Sequence, residues 1–116
     1  MKLLKLFVGL IIIFNFNYSY AQKPIKYNLN KSNIESVSYR IAPDSTYSIS
    51  IKLNKKAANE FGKFTKNNIG KLLRIYKSKQ IIQEAIIEGE IFSGLILINN
   101  LQDSDEVIKY IRLLLK

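Results

Sequence analysis

The 116-residue chain contains neither histidine nor cysteine. That removes imidazole acid–base catalysis, Ser-His and Cys-His nucleophile pairs, and nearly all zinc and copper sites. Carboxylates are the remaining reactive groups, and Glu84, Glu88 and Glu90 stand close together in sequence. If their segment is extended, Glu88 and Glu90 project to one side. Such a pair serves glycoside hydrolysis or holds a hard cation. Gly89 between them signals a turn rather than a rigid wall. An exposed acidic connector is therefore expected, with no catalytic residue, metal or cofactor. Gly62, Gly70, Gly89 and Gly94 are scattered, and no Gly-Lys-Ser/Thr string forms a phosphate loop.

Basic residues offer the other kind of chemistry. The net charge is +9, and it is unevenly spread. Between Lys52 and Lys79, nine basic residues stand against Glu60 alone; between Gln80 and Glu106, six acids stand against no base. A surface polarised in this way steers anionic partners or favours self-association. Lys55, Lys56, Lys63 and Lys66 lie on and around one helical stretch and form a candidate basic patch for an anionic lipid surface. Tyr76 among Arg74, Lys77 and Lys79 has the make-up of a base-stacking strand. The export address at the N-terminus argues against that use, so no nucleic acid is expected.

That address occupies residues 1–21. Lys2 and Lys5 precede the apolar run Leu6–Phe16, and Ser19-Tyr20-Ala21 closes it with a small-x-small step. The run is shorter than the ~20 residues a membrane-spanning helix needs. Cleavage near Ala21 removes 21 of the 116 residues and leaves 95, one domain in the periplasm or secreted. Retention as an N-terminal anchor is the alternative. Without disulfides, packing alone must hold the domain together outside the cytoplasm.

The elements that position these residues follow from periodicity. Residues 22–33 are polar and read as a flexible leader, with a short strand near Tyr27–Leu29. Ile34–Ile41 alternates and reads as a strand, and Pro43-Asp44-Ser45 as a turn. Thr46–Leu53 alternates cleanly, with Tyr47, Ile49, Ile51 and Leu53 on one face. Asn54 caps a helix to about Asn67, whose buried stripe is Ala57, Ala58, Phe61, Phe64 and Thr65. Gly70 ends that helix with a positive φ. Lys71–Lys77 and Gln80–Ile87 form a hairpin about Ser78-Lys79. Glu88–Gly94 is a connector, and the apolar run Leu95–Ile98 a strand. Asp103 and Glu106 form a capping box for a last helix, with Val107, Ile108, Ile111, Leu114 and Leu115 facing the core. The order implies an α+β domain over residues 34–116: an antiparallel sheet of four or five strands with two helices packed on one face.

One string carries more than periodicity. Phe61-x-x-Phe64-Thr65-x-x-Asn68-x-Gly70-Lys71-x-Leu73-x-Ile75, followed by Ile81-Ile82 and by Ile91-x-x-Gly94-x-x-x-Ile98, resembles the head subdomain of the large periplasmic loop of the SecD protein-export family. The resemblance covers Ala58–Leu115, and its motif residues are Phe61, Phe64, Thr65, Asn68, Gly70, Ile75 and Gly94. Glu84-Ala85 replaces the Ala-Pro step usual after the hairpin. Asn100 stands where glycine is usual, and asparagine tolerates the left-handed conformation a glycine would adopt there. The family's base subdomain, hinge and membrane helices are not in this sequence, so proton-driven export does not carry over from the resemblance.

The resemblance implies a free-standing, non-enzymatic module that contacts an emerging polypeptide or an envelope protein partner. An open strand edge would be the physical route. Leu95, Ile96, Leu97 and Ile98, next to the connector, are the candidate partner-binding residues. The competing expectation is an envelope-associated structural protein docking its basic helix on anionic lipid.

Overall fold

The computed structural model describes residues 10–12 and 23–116. The address expected over 1–21 lies outside the described residues apart from Leu10–Ile12. The strands are β1 (Leu10–Ile12), β2 (Ile25–Asn28), β3 (Ile34–Ile41), β4 (Tyr47–Leu53), β5 (Leu72–Lys77), β6 (Gln80–Ile87) and β7 (Leu95–Leu101). The helices are α1 (Lys55–Lys66) and α2 (Ser104–Leu115), and a 3-10 turn spans Lys31–Asn33.

The fold is α+β, but the single antiparallel sheet gives way to two sheets. One has the order β1-β6-β5-β2, the other β3-β4-β7. The pair β2–β5 is parallel, with Ile25 opposite Leu73 and Tyr27 opposite Ile75. Residues 22–33, expected as a loose leader, are thus built in from Ile25 onwards, and Leu29 is buried. Tyr27 packs edge-on against Phe61, with ring centroids 4.7 Å apart. Its phenol titrates above its ordinary range, first because it is desolvated and then because of the Glu60 charge.

Inner faces follow the expected alternation. In β4, Ile49, Ile51 and Leu53 are buried. Across the ladders they meet Tyr39, Val37 and Ile34 of β3, and Ile98 and Ile96 of β7. Both helices contact β4, and α2 also touches β3 and β7. One core joins the two sheets and both helices, from Leu29 through Phe61, Leu73, Ile75, Ile87 and Ile96 to Leu114.

Turn and cap chemistry is where local sequence acts most directly. Ser78 and Lys79 have φ of 52° and 69°, the left-handed pair a two-residue hairpin turn needs. Asn54 Oδ1 accepts from the Ala57 amide at 2.9 Å and starts α1. Asp103 accepts from the Glu106 amide at 3.0 Å. The Glu106 carboxylate accepts from the Gln102 amide at 2.7 Å, one residue before the position a capping box specifies. The stripe of α2 is narrower than expected. Val107 and Leu114 are buried, whereas Ile108 and Leu115 are about half exposed. Helical periodicity marks an apolar arc but not how much of it a three-stranded sheet can cover.

The connector Glu88–Gly94 explains the split into two sheets. It passes over α1 instead of turning back as a hairpin. Thr65 is fully buried, and its hydroxyl accepts from the Ile91 amide at 2.9 Å. The same hydroxyl donates within its own helix, 3.0 Å from the carbonyls of Phe61 and Gly62. Ile91 is buried beside it. Gly94 has φ +71°, and a Cβ there would stand 2.7 Å from Ala58 Cβ. Its carbonyl accepts from the Leu53 amide at 2.8 Å, which sets β7 beside β4.

Two substitutions test this joint by urea unfolding. Gly94→Ala adds a strained φ and a clash, and is expected to lower stability by about 2–4 kcal/mol; a loss under about 0.5 kcal/mol would contradict the close approach. Thr65→Val leaves the buried Ile91 amide unpaired and should cost about 1–3 kcal/mol. Thr65→Ser, which keeps the hydroxyl, should retain most of that hydrogen-bond contribution and lose only the methyl packing.

Candidate functional site

The three acids do not form a reactive pair. Glu84 sits on the outward face of β6 and pairs with Arg74 directly across from it on β5. That hydrogen bond is the main reason the Arg74 guanidinium titrates above its ordinary value. Glu88 and Glu90 are exposed on the connector. Among the described residues no group of three His, Cys, Asp or Glu is placed to hold a metal ion.

The four lysines of the candidate basic patch come together. Lys55, Lys56, Lys63 and Lys66 are all exposed on α1. At 100° per residue they fall within an arc of about 100°, opposite Ala57, Phe61 and Thr65. The helix therefore shows a cationic face to solvent while its apolar stripe is held by the core.

The four candidate partner-binding residues separate into two pairs. Ile96 and Ile98 point inward and are buried in the core, so the strand's pleat withdraws them from any partner. Leu95 and Leu97 point outward and are half-buried. They form cross-strand rows with Lys52 and Ser50 of β4, which continue to Ser36 and Ser38 of β3. Leu95, Leu97, Ser50 and Ser38 line a shallow concavity of about 1070 Å³ on the outer face of the three-stranded sheet. Tyr39 and Ile41, 56% and 62% exposed, belong to β3 but share the parity of Ile49 and Tyr47, so their side chains project from the opposite face. The far end of the concavity is turned by Asn100, whose φ of 62° is the left-handed conformation expected at that position. The free edge of β7 is partly occupied from within. The Leu97 carbonyl accepts from the Gln83 side chain of β6, and the Leu95 amide donates to Ser93 Oγ at 3.3 Å.

The motif residues do structural work. Phe61 and Ile75 are core, and Phe64 packs beside Tyr27. Thr65 and Gly94 fix the connector, as described above. The Asn68 side chain donates to the Phe64 carbonyl at 2.7 Å, which closes the last turn of α1. Gly70 has φ +88°, and its amide donates to the Ile87 carbonyl at 2.8 Å.

Two features escaped the sequence reading. The first is the placement of Leu95 and Leu97 beside the polar face of β4, expected from the alternation of Thr46, Ser48, Ser50 and Lys52, which makes the concave face. The second is the outer edge of β6. There Leu10–Ile12 pairs antiparallel with Ala85–Ile87. The available signal was a run without charge or proline, Ala85-Ile86-Ile87, which an open edge rarely carries.

Comparison with known proteins gives this arrangement a family. A family model for the P1 head subdomain of SecDF matches residues 17–115. A structure of SecDF, a membrane component that enhances protein export, superposes with a TM-score of 0.65 at 20% identity, covering 73% of this chain and 39% of that one. A crystal structure of SecDF in a super-membrane-facing form gives a TM-score of 0.64 at 20% identity, over 73% of this chain and 12% of that one. The chain thus spans well under half the length of either. No curated protein matches it. Among the described residues no helix is long and apolar enough to cross a membrane. The structural likenesses agree with the fold, and since the family model extends over most of the sequence, the chain belongs to the SecDF P1 head subdomain family.

Proposed function

We propose that the chain is a non-enzymatic, extracytoplasmic binding module that contacts polypeptide in the course of protein export. The observation that carries this reading is the concave outer face of β3, β4 and β7. It presents Leu95 and Leu97 on its floor among serine and asparagine hydrogen-bonding groups. Apolar points on a polar, open sheet suit an extended chain of varied sequence. Membership of the SecDF head family and the address-like N-terminus support the extracytoplasmic setting.

A photo-crosslinking residue at position 97 is expected to capture a reduced, unfolded model polypeptide, and the same residue at Lys109 is not. Leu97→Arg should weaken that binding about tenfold without changing the urea midpoint. Unchanged binding by Leu97→Arg rejects this face as the contact.

The exposed arc of Lys55, Lys56, Lys63 and Lys66 supports a second reading, docking on anionic lipid. Vesicles containing phosphatidylglycerol are the test. Under this reading the protein binds them at low salt and releases at about 0.5 M salt, where screening is short-ranged. Replacing the four lysines by glutamine should abolish binding; equal binding by the glutamine variant excludes the docking face.

A further inference from the structure

The outer edge of β6 carries a second binding surface, on the other sheet from Leu95 and Leu97. The Ile87 amide donates to the Lys71 carbonyl at 3.0 Å, and the Ile87 carbonyl accepts from Gly70 at 2.8 Å. Antiparallel alternation then turns both backbone groups of Ile86 away from β5. Ile11 stands opposite them, with Leu10 opposite Ile87 and Ile12 opposite Ala85. The occupant lies before the span that the family model matches, so the edge belongs to the family domain and its covering strand does not. Among the residues whose burial is described, the fully buried core runs from Leu29 to Leu114.

Charge defines the direction and type of the occupant. Glu88 and Glu90 follow Ile87 and are exposed. A strand running antiparallel to β6 brings its own N-terminal flank to that acidic end. In the sequence of this chain, Lys2 and Lys5 precede the apolar run Leu6–Phe16. We propose that the outer edge of β6 at Ala85–Ile87 is a strand-addition site for signal-like segments, extended chains with a basic N-terminal flank followed by an apolar run, and that Leu10–Ile12 is its resident occupant. Backbone pairing to Ile86 supplies affinity tolerant of sequence, and the acids at the end of β6 select the orientation.

The full chain and its Ile11→Pro variant test this by amide hydrogen exchange. Proline at 11 removes the donor facing Ile86, and exchange at the Ile86 amide should speed up about tenfold while the Ile51 amide is unchanged. A labelled peptide copying residues 2–14 should bind the variant and restore Ile86 protection. The same peptide with its two lysines moved to the C-terminal end should bind about threefold more weakly. Glu88→Lys with Glu90→Lys should abolish that preference. Binding should survive Leu97→Arg, which separates this edge from the concave face. Unchanged Ile86 exchange overturns the proposal, as does binding indifferent to lysine position or dimerisation of the variant in place of peptide binding. Unfolding of Ile11→Pro also overturns it, because a resident occupant is not part of the core.

Discussion

A buried backbone amide must find an acceptor, and the fold depends on how Ile91 finds one. The connector Glu88–Gly94 has no strand partner, yet its middle residue, Ile91, is buried in the core. The hydroxyl of Thr65 supplies the acceptor from α1. With that bond made, the chain crosses the helix before it resumes as a strand. Gly94 then enters against Ala58 so closely that no side chain fits. The next strand is delivered to β4 and not to β6, so two sheets form where one was expected. The Gln83 side chain, donating to Leu97, links them across the gap.

This constraint also gives the motif residues a physical meaning. Thr65, Asn68, Gly70 and Gly94 hold the ends of α1 and the connector in place. Under the proposed readings, variation that concerns binding falls on the outward parity of β3, β4 and β7, on the cationic arc of α1 or at the outer edge of β6, where substitution leaves the joint intact. The chain therefore separates the residues that keep its shape from those that meet other molecules.

Local features were legible in the sequence. The α1 stripe, the cap at Asn54, the two-residue turn at Ser78-Lys79 and the left-handed Asn100 all follow from side-chain chemistry within a few residues. Long-range features were not. Alternation states which residues of a strand share a face but not which strand lies alongside, so the parallel pairing of β2 with β5 and the division into two sheets had no local signature. The same limit hid the candidate site. Parity placed Ile96 and Ile98 inside and left Leu95 and Leu97 outside, a division that a bare apolar run does not reveal. It also hid the exposure of Ile108 and Leu115, because the reach of a neighbouring sheet is not written in a helix's own period.

The parallel pair has a kinetic corollary. Ile25 meets Leu73 from 48 positions earlier in the chain. A chain delivered from its N-terminal end presents β2 long before β5 exists to receive it. Closing so long a loop is slow, and nothing nearby in sequence hastens it. That ladder therefore zips only once Leu72–Lys77 has emerged, and until then β2 has no strand to pair with.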